Sequence, residues 1–281
     1  MSVQDEVAAA QSALGLSEVK WVVAVGSGKG GVGKSSVALN LSLALSQQGI
    51  KVGLLDGDIY GPSQALLLGL PDGTRPSTHG QRFAPVMAHG LATMSMAYLA
   101  TEQTPLVWRG PMASGALQQM LLQTDWGSLD VLIVDLPPGT GDIQLTLSQK
   151  IKLAGVVVVT TPQPLAVLDA RKALAMFQKV DVPLLGLIEN MSHFDCPSCQ
   201  YRDSLFGEGG ALQLQAEFKV PLLAQLGLVS AFGQACNAGT PFILKTPEHP
   251  VSTGFRTAAS KLLEGLNQHN APNVEIEEIM E

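Results

Sequence analysis

Hydrophobic positions in this chain gather into short continuous runs instead of alternating with polar ones. KWVVAVG (20–26), KVGLLD (51–56), LDVLIVD (129–135), AGVVVVTTP (154–162) and VPLLGLIEN (182–190) are all of this kind. A strand that is apolar at successive positions is covered on both faces, so the five runs predict a mostly parallel sheet with helices above and below it. Between the first two, Val37, Leu41, Ala44 and Leu45 recur at helical spacing and Gly49 follows as a stop. The pattern breaks over 57–128, where Gly61-Pro62, Pro71-Asp72-Gly73 and Gly110-Pro111 signal turns. A hairpin around 83–97 and a helix near 112–123 are expected there. The predicted architecture is a three-layer α/β domain over 19–268, with a polar extension (1–18) before it and an acidic tail (269–281) after it.

The first strand runs into GSGKGGVGKSS (26–36), which contains a complete G-x-x-x-x-G-K-[ST] loop from Gly28 to Ser35. Gly28, Gly30, Gly31 and Gly33 are expected to take positive φ and turn successive N–H groups onto an anion, at the positive end of a helix that starts near Lys34. That makes the fold a P-loop NTPase and the ligand a nucleotide, with Lys34 on the phosphates, the Ser35 hydroxyl on Mg²⁺, and Val32 and Ser36 within the binding loop. Lys29 is surplus to this arrangement. Either it is a solvated loop lysine, or it reaches the nucleotide of a facing protomer as an arginine finger does.

Two strand ends add carboxylates. Asp135 closes the run 129–135 and is expected to hold the hydration shell of Mg²⁺, with the N–H of Gly139 in LPPGTGD sensing the γ-phosphate. Asp56 and Asp58 follow the second run, and either could orient or deprotonate an attacking water. Both sites belong to the carboxyl edge of a parallel sheet, where ligands of open α/β sheets bind.

Charge and composition narrow the partners. A hydrophobic content of 46% in 281 residues supports a large core, and a net charge of −7 offers no basic field for nucleic acid. The chain has no secretory pattern, no run long enough to span a bilayer and no basic amphipathic C-terminus, which predicts a cytoplasmic protein without a membrane partner. Of its three cysteines, Cys196 and Cys199 form a C-x-x-C pair, His193 lies just before them, and Cys236 reads as an ordinary thiol. A closed thiolate site needs about four ligands, and two chains facing each other across a two-fold axis would supply them. Zinc and an iron–sulfur cluster both suit four thiolates.

Together GSGKGGVGKSS, LLDGDIYGPS, VWRGPM, LDVLIVDLPPGTGD, TTPQ, IENMSHFDCPSC and LFGEGG resemble the Mrp/ApbC family of iron–sulfur carrier ATPases, within the deviant-Walker class that includes MinD, ParA and the nitrogenase iron protein. The resemblance spans 19–245. It implies that Lys29 is the signature lysine, that Asp58 is the hydrolytic switch aspartate and Asp135 the second switch, and that Asn190 contacts adenine. It also implies that Cys196 and Cys199 bridge a [4Fe–4S] cluster between the subunits of a homodimer. Such a protein hydrolyses ATP slowly without a client, receives its cluster from donors and passes it to apo-proteins. Gln200 stands where the family usually has glycine, and LLAQLGLVSAFGQACNAGTP replaces the usual proline-and-aspartate loop beside the base. The competing readings are a ParA/MinD-like positioning ATPase and an ATPase with a structural zinc clasp.

Overall fold

A computed structural model describes residues 15–59, 61–80, 82–99, 110–141, 144, 145, 147, 151 and 153–268. The acidic tail, residues 1–14 of the N-terminal extension and the first half of VWRGPM lie outside the described residues.

All five apolar runs are strands. The main sheet contains β1 (Val19–Gly26), β2 (Val52–Asp56), β3 (Val86–Ala88), β4 (Leu91–Ser95), β5 (Leu129–Asp135), β6 (Gly155–Thr160), β7 (Leu184–Asn190) and β8 (Leu222–Leu226). Its order is β8-β7-β6-β1-β5-β2-β4-β3. Every neighbouring pair is parallel except β3 with β4. That antiparallel pair is the expected hairpin, and its two-residue turn, His89-Gly90, has φ 50 and φ 82. Positive φ at both positions matches the right-handed twist of the flanking strands.

The helices are α1 (Lys34–Ser46), α2 (Gln64–Leu67), α3 (Gly110–Gln123), α4 (Pro164–Lys179), α5 (Gly210–Phe218), α6 (Ser230–Asn237), α7 (Phe242–Lys245) and α8 (Pro250–Gln268). Strand β1 shows how the layers divide. Trp21, Val23 and Val25 pack with α1, α7 and α8, while Val22 and Ala24 pack with α3, α4 and α5 on the opposite face. Successive side chains of a strand point to opposite faces, so a continuous apolar run feeds two cores at once.

Helix α1 has no solvent face through its middle: every residue from Val37 to Leu45 is buried. It is wedged between the sheet and α8, and its small and aliphatic side chains suit close contact on all sides. The packed part of the chain also reaches back into the polar extension. Leu16 is buried with the α3 side of the core, and the Gly15 N–H donates to the Leu122 carbonyl at 2.8 Å.

Candidate nucleotide site and cysteine hairpin

Strands β1, β5 and β2 end level with one another, with Val25 paired to Asp135 and Asp135 to Asp56. The loop after β1 and two acidic strand ends therefore face one point at the carboxyl edge of the sheet.

The four loop glycines do different jobs. Gly31 and Gly33 have φ 83 and φ 81, and Gly33 is the N-cap from which α1 starts at Lys34. Gly28 does not adopt positive φ; a Cβ there would stand 2.2 Å from the Asp169 carbonyl oxygen, so close packing against α4 is what excludes a side chain. At Gly30 neither constraint applies. The expectation that all four turn through the left-handed region holds for two.

The residues expected to grip phosphate and metal hold one another here. Lys34 is 6% exposed and ion-pairs with the fully buried Asp135, its Nζ 3.5 Å from Ser35 Oγ. The other oxygen of Asp135 accepts from Gln64 Nε2 at 3.0 Å, and the same Nε2 donates to the Ser35 carbonyl at 3.0 Å. Gln64 had no signal in the sequence, because a glutamine at the start of a one-turn helix carries no motif.

Asp56 and Asp58, left as alternatives by spacing, separate clearly. Asp56 is fully buried and accepts from the N–H groups of Asp58, Ser63 and Gln64 and from the Ser95 hydroxyl at 3.0–3.2 Å. Burial first, and the neighbouring charge of Asp135 second, push its carboxyl up to about 7. A carboxylate enclosed by four donors organises the 57–64 loop and has no face for an attacking water. Asp58 is half-buried, and its Oδ1 accepts from the Gly61 N–H at 3.3 Å.

Other expected contacts have local partners. The Gly139 N–H, expected to sense the γ-phosphate, donates to the Ser27 carbonyl at 2.9 Å, so it has to exchange that bond to meet a phosphate. Asn190, at the end of β7, donates from Nδ2 to the Val32 carbonyl at 2.9 Å and braces the phosphate loop. A Cβ at Gly33 would lie 2.4 Å from that same Nδ2. Lys29 Nζ sits 3.4 Å from Gln163 Oε1 at the N-cap of α4, while Ser36 Oγ lies 3.5 Å from Cys236 Sγ.

Beyond Asn190 the chain forms a small ribbon in which 194–195 pairs antiparallel with 202–203. The Cys196 N–H donates to the Tyr201 carbonyl at 3.0 Å and the Gln200 N–H to the Cys196 carbonyl at 2.8 Å, closing a turn around both cysteines. Gln200 has φ 59, the conformation that glycine adopts without steric cost. The turn directs the N–H groups of Cys199 and Ser198 at the Cys196 sulfur, which lowers that thiol below its usual range. Cys196 is half-buried and Cys199 exposed.

His193 is engaged elsewhere. Its Nδ1 lies 2.7 Å from Ser192 Oγ and its Nε2 3.6 Å from Asp195 Oδ2, and burial lowers its pKa. Among the described residues no group of three or more His, Cys, Asp or Glu side chains converges on one point. A cavity of about 700 Å³ opens beside Cys196, walled on its far side by Gly227–Ser230. The same wall is hydrogen-bonded to the ribbon's entry, Leu228 N–H to the His193 carbonyl at 2.6 Å. No helix among the described residues is long and apolar enough to cross a membrane.

Residues 18–263 match the family described as ParA, NUBPL iron-transfer P-loop NTPase. The iron-sulfur cluster carrier protein of Pseudomonas fragi is 52% identical over 246 residues, which cover 87% of this chain and 86% of that one. The protein of the same name from Escherichia coli K12 is 50% identical over 248 residues, 88% of this chain and 67% of the other. Among solved structures, the nucleotide-binding protein of Archaeoglobus fulgidus in complex with ADP matches with a TM-score of 0.71 at 35% identity, over 83% of this chain and 91% of that one. The cell division ATPase MinD of Pyrococcus furiosus shares the fold with a TM-score of 0.66 at 21% identity, over 87% of this chain and 98% of its own.

Proposed function

The chain belongs to the ParA/NUBPL family of iron-transfer P-loop NTPases, and from that premise we propose that it is a homodimeric, ATP-hydrolysing carrier of [4Fe–4S] clusters. Cargo is taken from a donor at Cys196 and Cys199 of both subunits and passed to apo-proteins. One observation carries this reading: the cysteine turn presents one half-buried and one exposed thiol with no third ligand beside them among the described residues. Half a cage at the surface is completed by the same half from a second copy. The positioning role known in this fold class is not favoured, since relatives at about half identity are named carriers and MinD is similar at 21%.

With a nucleotide bound, Lys34 would exchange Asp135 for the phosphates, which would leave the Asp135 carboxylate free to hold a metal ion. Ser35 Oγ and the Asp135 carboxylate offer oxygen donors that fit Mg²⁺, and the amide of Gln64 that bonds Asp135 has a buried Oε1 with no partner among the described residues. When bound, that ion neutralises the developing phosphate charge. Asp58 orients the attacking water from the loop that Asp56 anchors. Lys29 serves the facing subunit's nucleotide, which makes turnover slow until two chains meet.

Anaerobic reconstitution with metal counting tests the carrier reading. Iron and sulfide at about four each per dimer are expected, with Cys196→Ala and Cys199→Ala abolishing loading while nucleotide binding persists. A single tightly held zinc per dimer without cluster uptake would make the cysteines a structural clasp instead.

A further inference from the structure

Gln64 is polar, 1% exposed and set between the two residues that define the metal station. Its Nε2 is saturated by the Ser35 carbonyl and Asp135 Oδ2, and its backbone N–H is held by Asp56 Oδ2 at 3.0 Å. Its Oε1 is buried and has no hydrogen-bond partner among the described residues. Leaving a buried carbonyl unsatisfied costs about 1–3 kcal/mol. The two Nε2 bonds account for an amide at this position but leave its oxygen unmet, so the orphaned atom points to a ligand that supplies a donor. The same amide bonds the backbone carbonyl of Ser35 and Oδ2 of Asp135, the two residues proposed to hold the metal, and the donor that fits there is a water held by a divalent cation, since Mg²⁺ keeps several of its waters when it binds protein.

We infer that Gln64 is a positioning residue for the metal: its Oε1 accepts a hydrogen bond from a Mg²⁺-bound water, while its Nε2 fixes the Asp135 carboxylate. This inference rests on the nucleotide-hydrolase reading of the site. It adds that the loop carrying Asp58, which ends at Gln64, senses the metal directly and not only through Asp135.

Nucleotide affinity of the full chain, measured by calorimetry with ATPγS in the presence of Mg²⁺ and in EDTA, tests it. Gln64→Leu removes the Oε1 acceptor together with the Nε2 donor at similar volume, and Gln64→Glu removes the donor alone. About a tenfold loss of the Mg²⁺-dependent gain in affinity is expected, with binding in EDTA unchanged, and Gln64→Glu, which keeps an acceptor oxygen, retains more of the gain than Leu. Thermal melts of each variant show whether it is folded. An equal Mg²⁺ gain in wild type and Gln64→Leu would overturn the inference, as would parallel losses with and without the metal, the result of a structural role. Wild-type protein that binds no nucleotide at all would overturn the reading beneath it.

Discussion

Lys29 and Lys34 are five positions apart and belong to different neighbourhoods. Lys34 lies inside the site on Asp135, whereas Lys29 leaves the loop toward Gln163 at the start of α4. If Lys29 acts on the partner's nucleotide, then in a mixed dimer Lys29→Ala on one chain and Asp58→Asn on the other fall on the same nucleotide site and leave the second site intact. Each variant alone is expected to lose hydrolysis and keep binding, and mixing them in equal amounts restores about a quarter of wild-type turnover through random reassortment of two chains. No recovery in a steady-state ATPase assay of the mixture would place Lys29 in its own subunit's site. At this scale the sequence is legible where chemistry requires one residue type. The loop that launches a helix at Lys34 was readable, and the resemblance pointed to a glycine-like backbone after Cys199, which Gln200 meets at φ 59. Gln64 and Gln163 were not, because their roles depend on what the fold brings beside them.

Strand ends and the loops they launch are the unit at which Asp56 acts. It anchors the 57–64 loop by accepting from Asp58, Ser63 and Gln64. The unfolded chain titrates this carboxyl near its ordinary 3.8 and the fold near 7. The folded state thus holds the proton more tightly, so the contribution of Asp56 to stability is full below about pH 4 and is lost as pH rises through 7. Asp56→Asn removes that titration and weakens the loop anchor by roughly 1–3 kcal/mol. The stability gap between wild type and variant, measured by denaturant unfolding at pH 5 and pH 8, is expected to narrow at the higher pH; a constant gap contradicts the assignment. The long strands were legible because continuous apolar runs are rarely anything else in a chain with flanking helical patterns. The ribbons at 78–83 and 194–203 were not, being pairs of two-residue strands whose only cause is the turn between them.

Across the whole molecule, the site and the cysteine turn share one strand. Strand β7 ends in Asn190, which braces the phosphate loop, and the chain then passes through His193, bonded to Leu228, into the turn that bears Cys196. Hydrogen exchange on adding Mg²⁺ and ATPγS is expected to change over 57–64, 136–141 and 191–203, with the amides of α1 unaltered. Broad changes through α1 would show that the frame itself rearranges. The three-layer architecture was legible from the spacing of the runs, but the burial of α1 on all sides was not, since a helix covered from every direction leaves no polar stripe to read.

That sealed helix decides what kind of machine this can be. With its flank against the sheet and its back against α8, α1 has nowhere to tilt. A guest at its amino end, under the proposed function, is then to be answered by side chains trading neighbours, with Lys34 leaving one carboxylate for another anion, while the chassis stays still and the loops around it do the moving.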